Sequence, residues 1–496
     1  GDAARRAGRL GAMGRSRSLR DGVVCSLLVF LPAQDAQHAA RAARIVAGPM
    51  AAVAGTTSAA IWIQTDAPAQ VSLRCWPAGR PDEPVSSAPV AAAGEHGCTA
   101  VVRLEGLDPG TGYEYRVQLD GADAEPPGPP GAALRFDTEP EPAAARDLAL
   151  AFGSCAYLDD PGEDVGGGYE IFDSIAAVRP AAMLWLGDNV YYRNGEWEDA
   201  AAMRQRWAVS RILPELQGLL QRVEQVAVWD DHDYGPDNSD GSFPLRADSL
   251  RLFGEFFPDA ATSAGPGLAR RLRLGDVELF LLDDRSFRSP NDDPDGPAKV
   301  MFGPEQREWL VQGLKDSTAT FKLVANGNQM LNPLLRFEAL GRFPTEQREL
   351  LAALVRERIE GLLFLSGDRH ASELLRRRPE DFGLPPAYEW YEFTSSPLTG
   401  GLPDLSAEAD NPARVEGTWV MGRRSFGLLE FLGPAGDRRV VLSARADTAT
   451  LPAPVPVTAD SFRMGTPVPV MARRAASNGA AHSVSPATYA RCPLGR

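Results

Sequence analysis

Between Asp147 and about Ala446 the chain alternates short apolar runs with helical stretches, and this alternation narrows its fold more than any other feature. Leu148 to Phe152, Met183 to Leu186, Val226 to Trp229, Glu278 to Leu282, Lys322 to Val324 and Leu362 to Leu365 are too short for helices and read as buried strands. Ala200 to Val209 and Thr345 to Ile359 carry helical spacing. Strands and helices in turn predict an α/β layer domain, with a mixed β-sheet if Arg271–Leu274 and Val277–Leu282 form a hairpin. A polar signature closes five of the runs: Phe-Gly-Ser-Cys at 152–155, Gly-Asp-Asn-Val-Tyr-Tyr at 187–192, Trp-Asp-Asp-His-Asp at 229–233, Asn-Gly-Asn-Gln at 326–329 and Ser-Gly-Asp-Arg-His at 366–370. Each falls at a strand's carboxyl end, where open α/β sheets form ligand sites. Together they gather Cys, Asp, Tyr, His and Asn, a mixed set of metal-ligand types.

Each signature alone also has a plain structural reading. Asp188, directly after a buried strand, is costly unless it caps a helix, is paired or binds metal. Tyr191, three residues on, shares one side of a single turn with it. Asp230, Asp231 and Asp233 around His232 repel one another without a cation, or else form a solvated acidic turn. Asp368 and His370 are two apart and face the same way in an extended segment, or lie in a surface loop with an ion pair. Cys155 alone fits a packed core thiol, and Asn328 and Gln329 fit a turn. Their shared position after strands favours a metal site over five unrelated loops.

From about Ile45 to Thr138 the texture is different. Ala60–Ile63, Gln70–Leu73, Thr99–Val102 and Tyr113–Val117 are half-buried strand candidates separated by turn residues such as Leu107–Thr111, which suggests a small β-sandwich. The expected organisation is a targeting segment at 1–44, the sandwich at 45–138, a linker at 139–146, the α/β domain at 147–446 and a tail at 447–496. In the first segment Met13 is followed by Arg15, Arg17 and Arg20, then by the apolar stretch Gly22 to Pro32. That is the order of a secretory signal, too short to span a bilayer. Met13-Gly14 with Ser18 also fits a myristoylation pattern, but the apolar stretch favours a secreted, periplasmic or cell-surface protein. No other run is long and apolar enough for a transmembrane anchor.

The net charge of −15 argues against a general nucleic-acid or membrane-binding surface. It leaves a phosphate ester possible, because bound cations reverse the local sign of a site. Five cysteines leave at least one free or paired outside the chain. Cys75 and Cys98 could join as a disulfide in an oxidising compartment, whereas Cys155 is expected to stay reduced.

At these signatures the chain resembles the alkaline phosphatase D (PhoD-like) family of the calcineurin-like metallophosphoesterase superfamily. The resemblance rests on residues 152–155, 187–191, 229–236, 327–329, 366–373 and 394–397, and spans roughly 45 to 446. Pro236-Asp237-Asn238 departs from it by reversing the expected Asn-Asp order. The resemblance implies a fibronectin-like N-terminal β-sandwich and a metallophosphoesterase domain holding a ferric ion (Fe3+) beside a divalent metal, typically calcium (Ca2+). Carried over by position, Cys155, Asp188, Tyr191 and His370 would hold the ferric ion, with Asp188 bridging. Asp231, Asp368 and either Asn328 or Gln329 would hold the second. His232 would act on the phosphoryl group or the leaving oxygen without being a ligand. Arg369 would clamp phosphate, and Arg285 and Arg288 could help shape the anion pocket. The implied activity is hydrolysis of organic phosphate monoesters or diesters by a metal-activated water. A phospholipase or teichoic-acid-type diesterase is an alternative, as is an inert binding protein, although an inert relative should have lost ligands and all are present.

Overall fold

The computed structural model describes residues 42–128, 133–141, 144–158, 168–259, 265–446 and 455–458. The expected targeting segment, apart from residues 42–44, and the expected tail, apart from 455–458, lie outside the described residues. Within that tail the strand Val455–Thr458 pairs with Arg439–Ala446, so the first sheet of the second half extends past the boundary expected at residue 446.

The N-terminal strands form two antiparallel sheets. One contains Ile45–Ala51, Ser58–Thr65 and Thr99–Glu105. The other is built on Ala69–Pro77 paired with Gly112–Leu119, with short strands at its edges. Alternation along Ala69–Pro77 sends Val71, Leu73 and Cys75 inward, where they meet Ile61, Ile63, Val102, Tyr115 and Val117 in one core. Cys75 and Cys98 are both free thiols, contrary to the disulfide considered above. Cys98 closes the turn after Ala92, and Ala92 pairs with Ala69 at one end of a strand that carries Cys75 six residues further on. At about 3.3 Å per residue that separates the two by about 20 Å, far beyond disulfide reach.

Residues 148–446 form two further sheets packed face to face. In the first, Glu224–Val228, Ala182–Leu186 and Leu148–Gly153 run parallel, and Ser425–Leu432 joins Leu148–Gly153 antiparallel. In the second, Val277–Leu281, Phe321–Ala325, Leu362–Ser366 and Trp390–Thr394 run parallel. Its edge is the expected hairpin, Arg270–Leu274 with Val277–Leu281. Leu150, Phe152, Leu184, Leu186, Val226 and Val228 fill the space between the sheets with Leu279, Leu323, Leu363 and Phe393. The alternate residues Ala151, Met183, Trp185 and Ala227 face the helices Glu170–Ala177, Ala200–Arg211, Pro214–Arg222 and Arg246–Phe256. Burial on both faces explains why these strands read as unbroken apolar runs. The helix at 200 starts where the Asp199 carboxylate accepts from the Ala201 and Ala202 amides. Gly303–Asp316 and Pro344–Arg356 bring Leu310, Leu314, Leu350 and Leu354 into the same connected cluster, with Trp309 meeting Phe280 on the face of the second sheet turned away from the first.

The N-terminal strands pack on the helices of the first sheet. Trp62 Nε1 donates to Glu255 O at 2.9 Å, the Gly48 amide donates to Gln217 Oε1 at 2.9 Å, and Glu224 accepts from the Asp137 and Ala54 amides. Among the described residues no helix is long and apolar enough to cross a membrane.

Candidate metal centre

All seven parallel strands of the two sheets end at the same seam, and the five signatures line it. The backbone is tightly turned there: Cys155, Asp188, Asp368 and His370 are four of the nine non-glycine residues with positive φ among those described. Such conformations persist where surrounding structure enforces them, and they concentrate at functional sites. Gly187, at φ 87°, is required twice over, because a Cβ there would come within 2.5 Å of the Asp230 side chain.

Asp188 is the hub. Its Oδ2 accepts from Tyr191 Oη at 2.8 Å and from Cys155 Sγ at 3.4 Å, and its Oδ1 accepts from the His232 amide at 3.3 Å. Asp231 accepts from the His232 amide at 2.9 Å and the Asn238 amide at 2.6 Å. Asp188, Asp231 and His232 each offer a ligand atom within 4.8 Å of the others, which puts His232 inside ligating reach. His370 Nδ1 lies 2.6 Å from the Gly401 carbonyl, so Nδ1 carries the proton and Nε2 keeps its lone pair free. The second sheet meets this cluster through Ser396, whose hydroxyl donates to Cys155 Sγ at 3.1 Å.

Asn328 and Gln329 differ in how their side-chain amides are used. Gln329 donates to Glu373 and Thr394, each at 2.8 Å, and accepts from Asn332 at 2.6 Å, so its amide is fully used. Asn328 turns its nitrogen to both oxygens of Asp230, at 3.0 and 2.9 Å, and leaves Oδ1 without a partner. Asp368 Oδ2 is likewise buried without a hydrogen-bond partner, and Asp284 Oδ1 has none beyond an ion pair with Arg285 Nε at 3.8 Å. Orphaned buried oxygens are costly and call for a donor or a cation.

Electrostatics point the same way. Burial, then the neighbouring Asp231, Asp230, Asp233 and Asp368, push the Asp188 carboxyl well above the usual range. Burial, then Asp230, does the same to Asp368. Burial and Asp188 raise both the Cys155 thiol and the Tyr191 phenol. Asp231 runs the other way: burial opposes its charge, but His232, Arg285 and the Asn238 amide outweigh it. Burial lowers His370 and keeps its imidazole neutral. Crowded acids that resist ionisation on their own are suited to a cation that takes their protons' place. The donor set therefore fits bound metal ions, since thiol, phenol and imidazole donors lie beside carboxylate and amide oxygens.

The arginines are held rather than loose. Arg285 is fully buried, pairs with Asp230 and lies 2.6 Å from Glu338, which also takes Arg288 at 2.7 Å. Arg369 pairs with Glu408 and stacks on Phe337, its guanidinium carbon 4.2 Å from the ring centroid. His232 is 27 % exposed, with its ring 4.3 Å from that of Tyr191 and Nε2 3.7 Å from Asp237 Oδ1. Sequence reasoning missed Glu338 and Glu408, which follow no strand and carry no local pattern. Ser396 could have been found, since it stands in the Thr394–Pro397 segment at another strand end.

Two packed mixed sheets with clustered ligand-type residues at the ends of their parallel strands define an α/β sandwich with a candidate binuclear metal centre. A model of the PhoD-like phosphatases matches residues 150–423, and the chain belongs to that family. A domain of unknown function (DUF7800) matches residues 42–133. Alkaline phosphatase D of Bacillus subtilis (strain 168) is 23 % identical over 322 residues, 55 % of this chain and 53 % of the relative. The chain thus spans about half the length of that curated relative. Among solved structures, PhoD superposes with a TM-score of 0.69 at 17 % identity, covering 85 % of this chain and 92 % of that one. A purple acid phosphatase from yellow lupin (Lupinus luteus) seeds gives 0.58 at 10 % identity, covering 83 % and 74 %. At these identities the likeness is one of fold.

Proposed function

We propose that this protein is an exported, metal-dependent phosphoesterase that hydrolyses organic phosphate esters, as the name of its family and of its Bacillus relative suggests. The observation that carries this reading is the convergence of Asp188, Asp231, Asn328 and Asp368, with Asn328 Oδ1 and Asp368 Oδ2 shut off from solvent and left without a hydrogen-bond donor. Cys155, Asp188, Tyr191 and His370 would hold ferric iron, and Asp188, Asp231, Asn328 and Asp368 a divalent ion such as calcium. The bound metals would supply Lewis-acid activation of water and neutralise charge on the phosphoryl oxygens. The chain's own residues do the rest. His232, part-exposed at the edge of the cluster with the Asp237 carboxylate 3.7 Å away, would give a proton to the leaving oxygen. Arg369 lends positive charge beside Asp368, its direction fixed by Glu408 and Phe337. Arg285 and Arg288 are tied to Asp230 and Glu338, so their part is to hold the loops in place. The N-terminal strands are read as a fibronectin-like sandwich over 45–138 that buttresses the catalytic domain at 147–446.

The test is hydrolysis of a nitrophenyl monoester and a bis-nitrophenyl diester, with and without chelator, beside Asp188→Asn. Chelator-sensitive turnover absent from the variant supports the reading; turnover that survives both rejects the metal site. In His232→Ala, turnover should fall further than metal content. The reverse would make His232 a ligand, as its place within 4.8 Å of the Asp188 and Asp231 donors allows.

A further inference from the structure

Among the described residues five large apolar side chains stand exposed, and three of them, Leu335, Phe337 and Leu402, lie on two loops that flank Asp368–His370. Leu402 follows Gly401, the carbonyl partner of His370. The other loop is fixed from three sides. Arg342 donates to the carbonyls of Phe337 at 2.9 Å and Leu335 at 3.0 Å, and Glu338 pairs with Arg285 and Arg288. Phe337 is 46 % exposed, yet its ring is not free to swing, because the guanidinium of Arg369 covers it at 4.2 Å. Arg369 is itself 4 % exposed and tied to Glu408. A flat aromatic surface is thus held in place, backed by a buried cation, one residue from Asp368 and from His370.

We propose that Phe337 is a stacking platform for the organic group of the substrate, and that the preferred substrates are phosphate esters carrying a planar ring such as a nucleobase. This rests on the phosphoesterase reading. A fixed ring with one covered side offers a flat partner contact without ordering anything new, and base-on-aromatic stacking tolerates any base because each has a π-face. A flexible acyl chain gains less from such a surface, since it must give up its own rotamers. A lipid surface is further disfavoured by the net charge of −15.

Adenosine 5′-monophosphate and ribose 5-phosphate isolate this contact, since the same bond breaks and only the base differs. The expected kcat/KM ratio is about tenfold in favour of the nucleotide, expressed in KM. Phe337→Ala and Phe337→Leu should bring the ratio close to one, and Phe337→Tyr should preserve it. Using the ratio cancels any common loss from unseating Arg369. A wild-type ratio near one overturns the proposal, as does a ratio that survives Phe337→Leu, which would mean apolar contact without stacking. If neither ester is turned over, the phosphoesterase reading has failed on these substrates. Calorimetric affinities of the metal-loaded protein for the same pair then decide the platform by the same ratio.

Discussion

Asp230 holds no exposed surface and makes no contact with solvent, yet its replacement should be felt at the metal. Both of its oxygens accept from Asn328 Nδ2, at 3.0 and 2.9 Å, and Oδ1 also takes Arg285 Nε at 2.8 Å. Asp230→Asn keeps the shape but leaves one acceptor where there were two. Its new amide nitrogen must face either Asn328 Nδ2 or the guanidinium, donor against donor. Losing a hydrogen bond to a charged group costs about 1.5–3 kcal/mol. The lower half of that range is expected, because Arg285 keeps Glu338 at 2.6 Å. The second effect is on orientation. With its nitrogen released, Asn328 is free to turn, and Oδ1 would no longer be held toward the proposed divalent ion. Outer-shell losses of this kind cost about 10–100-fold in metal affinity, or about 1.4–2.7 kcal/mol. Relief of the repulsion that Asp230 exerts on Asp188 and Asp368 works against this. It is expected to be the smaller effect, since Arg285 pairs with Asp230 and offsets part of its charge. Calcium titration by calorimetry and urea unfolding in chelator should therefore both show a loss. Calcium affinity within twofold of wild type, with stability alone reduced, would refute the orienting role of Asp230.

Other expectations follow from the same geometry. Asp188→Asn should cost more than about 100-fold in turnover and in retained metal, beyond what an outer-shell change costs, as read by steady-state rates and elemental analysis. Iron-loaded protein should show a visible absorption band that Tyr191→Phe weakens or shifts; an unchanged spectrum would remove Tyr191 from the ligand set. Phe152→Ala should cost about 3–5 kcal/mol in urea unfolding, because the fully buried ring bridges the two sheets and meets Phe393 edge-on at 5.0 Å. Glu392, fully buried under the Met330 and Leu331 amides, is raised from 4.5 to about 7, chiefly by burial. Its contribution to stability is complete below about pH 4.5 and is lost as the pH climbs to about 7, about 3 kcal/mol in all. Glu392→Gln should flatten that part of the stability profile.

The strands were legible because burial on both faces writes them as unbroken apolar runs, and the candidate metal residues because each lies within a few residues of the end of such a run. Asp188 and Asp368 could be placed at a sheet edge from this pattern alone. What sequence did not carry is pairing across loops. Nothing near Arg369 points to Glu408, and nothing near Arg285 points to Glu338; each ion pair exists only once the sheets have packed. The Asn328 and Gln329 alternative was undecidable for the same reason, since Glu373, Thr394 and Asn332, which occupy Gln329, come from elsewhere in the fold. The Cys75–Cys98 disulfide failed because closeness in sequence says little about which end of a strand a residue occupies.

The antiparallel placement of Ser425–Leu432 against Leu148–Gly153 has a consequence for biosynthesis. A nascent chain that has emerged as far as His370 already holds every residue proposed to bind metal. Yet the first sheet then still lacks the neighbour on one side of its Leu148–Gly153 strand. That open edge is a template for mispairing for as long as the last part of the domain is being made. Completion of the sheet that carries Cys155 and Asp188 thus waits for the last part of the domain, and a chain truncated before residue 425 should be exposed to chaperones and proteases without assembling the proposed metal centre.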